Sequence, residues 1–171
     1  MLAPYLAKAV ASFFLKLAYA DGETLSPMKL QKLIYFAHGW HLALYNEPLV
    51  TEPIYAWKFG PVIPSVYHEF KRFGYRPITE TDWDDEEDGL GLPIIPPDDR
   101  RTIELLTRVW DVYRRFTAVQ LSNMTHAPDT PWRVTWDRGE GAPELKIDDA
   151  LIRRSFLTKI GKDADAAAGK G

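Results

Sequence analysis

The chain contains no cysteine, which excludes disulfides and thiolate metal sites and is compatible with a reducing cytoplasm. No apolar stretch is long enough to span a bilayer, so no membrane partner is expected. Ala18-Tyr19-Ala20 imitates a signal-peptidase site, but Lys8 and Lys16 interrupt the run before it and no basic leader precedes it. Leu2, Leu6, Val10, Phe13, Leu17 and Ala20 instead fall on one helical stripe, the pattern of an amphipathic core helix. Positive charge is not in excess either: the formal net charge is −3, against the basic face of a dedicated nucleic-acid binder. Gly-x-Ser-x-Gly, P-loop and Gly-x-Gly-x-x-Gly patterns are absent. No cofactor is expected, and an enzyme built from histidines and carboxylates is a remote alternative.

What the chain does hold is material for a core. Of its 171 residues, 46% are hydrophobic and 13% aromatic, which suits one globular domain burying about 70% of its unfolded surface. Helical spacing predicts a first helix over Ala3 to Ala20, closed by Asp21-Gly22. A second runs from Pro27 to Tyr45. Ser26 is placed to cap it, Pro27 suits its first turn, and Leu30, Leu33, Ile34, Ala37, His41 and Leu44 paint one face. Residues Ile54 to Lys58 read as a short strand, with Tyr55 and Trp57 on one face and Gly60-Pro61 as the following turn. Pro64 opens a helix ending near Phe73-Gly74.

The 81–99 segment is acidic from Asp82 to Asp88 and then proline-rich, a solvated variable loop dispensable for folding. Asp98 is placed to cap the next helix, whose stripe is Ile103, Leu106, Val109 or Trp110, Tyr113 and Phe116. Thr117 and Gln120 have capping-box spacing, so another helix starts at once, and a short one runs from Pro131 to Gly139. Asp148 caps the last, with Ile147 and Ile152 as a hydrophobic staple and Leu151, Phe156 and Ile160 along its stripe. The tail 161–171 is expected to be disordered. The expected fold is mainly α: a single compact helical domain over residues 1–160 with a small β-hairpin or short sheet element.

Two chemical patterns are weighed and set aside. His38 and His41 lie three apart on a helix, near enough to share a metal, but no further ligand pattern accompanies them and satisfied structural histidines are favoured. Asp84 to Gly89 imitates the start of a calcium loop, yet the twelfth position is Ile95 and Pro93 interrupts it. A solvated charge run is the simpler reading of that segment; an acidic decoy for a basic site on a partner protein is the functional one. No metal site is expected.

Several short elements gain specificity from their order. Lys29-Leu30-Gln31-Lys32-Leu33, Tyr35-Phe36-Ala37, Gly39-Trp40, Glu47-Pro48-Leu49, Ala56-Trp57-Lys58-Phe59-Gly60-Pro61-Val62, Pro64 and Tyr67 form one block. Leu121-Ser122, Thr125-His126 and Pro131-Trp132 form a second. Together they resemble the Panacea domain, a family of bacterial and phage antitoxins with SocA-like and phage-associated GepA-like members. The resemblance covers most of residues 5–160.

It implies a cytoplasmic antitoxin that neutralises a cognate toxin by direct binding; domains like this one pair with many unrelated toxins. The alternative it implies is a proteolytic adaptor delivering the toxin to ClpXP, for which no tether motif stands out. Some relatives carry an appended DNA-binding domain that this sequence lacks, so no nucleic-acid partner is expected. Aromatic and basic residues anchor protein interfaces, which makes Trp57, Lys58, Phe59 and Tyr67, with His126 and Trp132 from the second block, the candidate partner-binding residues. A purely structural role for this cluster and its Gly-Pro turn stays open. Trp40 and Trp110 read as core.

Overall fold

The second helix of the chain sets the architecture. In the computed structural model, which describes residues 3–79, 93–140, 142 and 144–168, α1 spans Ala7–Ala20 and α2 spans Pro27–Tyr45. An antiparallel pair of strands follows, β1 (Tyr55–Trp57) and β2 (Gly60–Val62), then α3 (Pro64–Phe70) and a 3₁₀ turn at Lys71–Phe73. The remaining described helices are α4 (Arg100–Tyr113), α5 (Ala118–His126), α6 (Pro131–Arg138) and α7 (Asp149–Ala168). The domain is thus mainly helical with one small sheet, as the sequence predicts. Helices α1, α4, α5 and α7 and strand β2 all pack on α2. It is consequently buried on every side from Leu30 to Gly39, including Gln31, Lys32 and His38. The one-faced stripe understates this, and its last member, Leu44, is exposed. A helix surrounded by neighbours keeps no polar face.

Local chemistry fixes the ends of α2. The Ser26 hydroxyl accepts from the Lys29 N–H at 3.3 Å, and Asn46 closes the helix at φ 53°. Gly39 admits α7, because a Cβ there would stand 2.3 Å from the Phe156 ring. Phe156 meets Tyr35, Phe36 and Trp40 edge-on, and the Trp40 indole donates to the Tyr113 hydroxyl at 3.0 Å. Trp110 is fully buried, and Trp40 packs partly exposed against the core.

Departures from the sequence pattern have physical causes. Helix α1 begins at Ala7 rather than Ala3, because Tyr5 pairs its backbone with Leu49 and Thr51. Its buried face includes Ala7, Val10, Ala11, Phe14 and Ala18. Of the described members of the predicted stripe only Val10 is buried, and Leu6 is exposed, while Leu2 lies outside the described residues. Small alanines let α1 lie close to its neighbours, which larger side chains at those positions would prevent. Asp99, not Asp98, caps α4, accepting from the Thr102 N–H at 3.1 Å and from the Tyr5 hydroxyl at 2.5 Å. Tyr5 therefore selects between the adjacent aspartates.

The acidic run falls in residues 80–92, outside the described residues. At the end of the predicted loop Ile95 and Asp99 are buried, while Ile94, Pro97 and Asp98 are exposed. Where a disordered tail is expected from Gly161, α7 continues to Ala168, and alanine is the strongest helix former. The Thr117–Gln120 capping box is present. Asp148 accepts from the Ala150 N–H at 3.1 Å, beside buried Ile147 and Ile152. Among the described residues, no helix is long and apolar enough to cross a membrane.

Candidate functional site

The hairpin is where the two motif blocks meet. Its turn is Lys58-Phe59; Gly60 and Pro61, expected as the turn, lie in β2 instead, with Gly60 opposite Trp57 and Pro61 opposite Ala56. Gly60 holds φ +119°, a conformation few other residues adopt, and the chain reverses two residues earlier than the Gly-Pro pair implies. From α2, the Gln31 side chain clasps Ile63, accepting from its N–H at 3.0 Å and donating to its C=O at 3.1 Å. From α5, Ser122 donates to the Phe59 carbonyl at 2.7 Å. From α6, the Trp132 indole donates to the Trp57 carbonyl at 2.7 Å. Across β1, Ala56 N–H bonds the Leu145 carbonyl and Ile147 N–H bonds the Ile54 carbonyl, each at 2.8 Å. The hairpin is therefore a fixed platform rather than a loose ribbon.

A cleft of about 450 Å³ opens between this platform, the first turns of α2 and the segment around the 3₁₀ turn. Among the described residues its walls are Pro27, Met28, Gln31, Trp57, Phe59, Val62, Tyr67, Gly74 and Tyr75, with Lys32, Lys58 and Lys71 as charged groups and no carboxylate. Trp57 is half-buried and meets the Tyr67 ring edge-on at 5.0 Å. Phe59, Tyr67 and Tyr75 are exposed, an apolar surface of the kind that marks contact sites.

Lys32 is the unusual member. It is 1% exposed, and among the described residues its ammonium has neither a carboxylate nor a hydrogen-bond acceptor. Its stem runs beneath Gly60, where a Cβ would stand 2.7 Å from Cε. Burial lowers its pKa from 10.5 to about 7. Behind it, the Thr125 hydroxyl donates to the Ser122 carbonyl at 2.7 Å. His126 stacks on Trp132 at 3.9 Å, Trp132 stacks on Trp136 at 5.1 Å, and Arg133 donates twice to the His126 carbonyl. His126 Nε2 is buried without a partner. Burial, then the charges of Lys32 and Arg133, hold its pKa below the ordinary histidine value.

Of the six sequence candidates, Trp57, Lys58, Phe59 and Tyr67 line the cleft. His126 and Trp132 stand behind the hairpin, and Trp132, 3% exposed, presents almost no surface to a partner. Its role is to fix the backbone of Trp57. Met28, Lys32, Lys71 and Tyr75 were not singled out as site residues by sequence reasoning. Lys32 carries a readable signal: its helical neighbours Met28, Lys29, Tyr35 and Phe36 include no carboxylate that could pair with it. Lys71 and Tyr75 carry none, since only the fold brings them to the cleft.

The histidine pair has separate structural partners. His38 Nδ1 accepts from the N–H groups of Leu49 and Val50 at 3.3 and 3.4 Å, so Nε2 carries the proton it donates to Asp149 at 2.8 Å. His41 Nδ1 donates to the Glu47 carbonyl at 2.6 Å, leaving Nε2 buried without a partner. Among the described residues no group of three or more side chains is arranged to hold a metal ion.

Comparison with known proteins falls on the same segments. The family model described as "Antitoxin SocA-like, Panacea domain" matches residues 30–133. The chain is 40% identical over 154 residues to Antitoxin SocA of Caulobacter vibrioides (strain NA1000 / CB15N), a match covering 88% of this chain and 81% of that protein. No solved structure matches the chain.

Proposed function

Since the chain belongs to the SocA-like Panacea-domain antitoxin family, we propose that it is the antitoxin of a toxin–antitoxin pair and neutralises its toxin by direct binding in the cytoplasm. The observation that carries the binding mode is the exposed aromatic cleft on a hairpin pinned from α2, α5 and α6. A partner docking there orders no loose segment first, which spares association an entropic cost. The reading assigns no catalytic role to any residue. Masking a toxin needs complementarity rather than a nucleophile.

Co-expression with the product of the adjacent gene tests the reading: this chain restores growth that the partner alone arrests, and the two proteins co-purify. Trp57→Ala and Tyr67→Ala each weaken that complex by about 1–3 kcal/mol, as truncated interface anchors do, measured by calorimetry alongside thermal melts. Wild-type affinity in both folded variants would move the interface away from the cleft. Adding ClpXP separates masking from delivery. Protection that persists without the protease supports masking; toxin that disappears only when ClpXP is present identifies a proteolytic adaptor.

A further inference from the structure

We infer that the cleft receives a carboxylate, carried on an otherwise apolar segment of the partner, and that this carboxylate pairs with Lys32. The inference rests on the antitoxin reading for the identity of the partner, but not for the chemistry of the site. Its basis is an unmet bonding requirement. Burying a lysine without an anion is costly, because the ammonium loses most of its hydration and gains no ion pair in return. The polar groups beside it are turned elsewhere: both ends of the Gln31 amide meet Ile63, and the Thr125 hydroxyl donates to the Ser122 carbonyl. None of them supplies the missing acceptor.

The surroundings define the missing group. Lys58 and Lys71 stand on the rim and, among the described residues, no carboxylate lines the cleft, in a chain whose net charge is −3. The local field therefore favours an anion against the sign of the molecule as a whole. Trp57, Phe59, Tyr67 and Met28 provide apolar walls, which suit hydrophobic residues on either side of a single acidic one. Burial has already lowered the Lys32 pKa to about 7 in the free protein. An arriving carboxylate restores the charged form, and the ion pair forms where solvent screening is weak.

The test uses the amidated, acetylated pentapeptide Phe-Leu-Glu-Leu-Phe, its isosteric glutamine counterpart, and a single-stranded oligothymidine as a competing anion. Wild-type protein is expected to bind the glutamate peptide about 10-fold more tightly than the glutamine peptide in calorimetry. That preference is expected to vanish in Lys32→Met. Carbon-detected NMR of the Lys32 Cε in wild-type protein gives a second readout independent of any variant's folding: the resonance shifts with the glutamate peptide and not with the glutamine one.

Equal affinities, binding of neither peptide at millimolar concentration, or a glutamate preference that survives Lys32→Met would each overturn the inference. Oligothymidine binding more tightly than the glutamate peptide and shifting the same Cε would overturn it in favour of a nucleic-acid site. A glutamate preference in a protein that fails to neutralise the adjacent gene's product would leave the carboxylate site standing and remove the antitoxin reading. Neutralisation without the preference would do the reverse.

Discussion

Lys29 and Lys32 lie three residues apart on α2, and the two ends of the molecule they reach are built on different terms. Lys29 points to the corner of α1 and α4, where its ammonium donates to the Arg114 carbonyl. There, Arg114 pairs with Asp21 at 2.8 Å and with Glu23, and the Trp110 indole donates to Asp21 at 2.6 Å. Lys32 points under the hairpin and finds no partner among the described residues. The histidines repeat the contrast: both His38 nitrogens are bonded, whereas His126 Nε2 is buried and free. The Arg114 corner ties α1, α2 and α4 together with its groups paired, whereas the hairpin end leaves bonding capacity unused among the described residues. His41 Nε2 and Thr102 Oγ1 are isolated exceptions elsewhere. Such local violations of good packing chemistry concentrate at functional sites and lower stability in exchange.

The largest test of this contrast removes the frame's central ring. Phe156→Ala is expected to cost about 3–5 kcal/mol of stability by denaturant titration, while the glutamate-peptide affinity of the folded fraction stays unchanged. A parallel loss of peptide affinity would mean that the two ends are coupled through α2.

Next in size comes the histidine pair. His38→Phe leaves the Leu49 and Val50 N–H groups buried without an acceptor, at a cost of about 1–3 kcal/mol. His126→Phe keeps a ring stacked on Trp132 and deletes an unpartnered nitrogen, so stability holds or rises. If His126→Phe were the more damaging of the two, the division between satisfied and unsatisfied ends would break.

The last effect, opposite in sign, belongs to Lys32→Met, expected to stabilise the free protein at pH 7. The folded-state pKa near 7 lies below the unfolded value of 10.5. Between those values the unfolded chain holds the extra proton, so the contribution of Lys32 makes wild-type stability rise with pH across that window. The difference between wild type and Lys32→Met should therefore shrink from pH 7 toward pH 10. A difference that stays constant with pH would mean that Lys32 is not buried as a depressed base.

Local signals carried much of this fold. Ser26 before Pro27, and Thr117 three residues before Gln120, are written in adjacent residues, and both caps form. What depends on distant partners was not legible. Nothing near Asp98 and Asp99 says which one caps α4, because Tyr5, far off in sequence, decides it. A helical stripe reports one buried face and cannot report that α2 is enclosed on all sides. For the same reason the sequence offered Trp57, Lys58, Phe59 and Tyr67 as rim residues while leaving the lysine beneath them as one letter of a motif. His126 and Trp132 were offered as site candidates, but that they stand together behind the hairpin was not legible.

The Gln31 clasp on Ile63 has a further consequence for how specificity can change. A bare two-stranded hairpin offers two open edges to which a foreign strand could add. Here Leu145 and Ile147 occupy the edge of β1, while Pro61, which has no N–H, and the Gln31 amide blunt the edge of β2. A partner must then be recognised by side chains rather than by extending the sheet. Replacing the residues at the cleft rim can redirect this surface toward a different protein while every backbone hydrogen bond beneath it stays as it is.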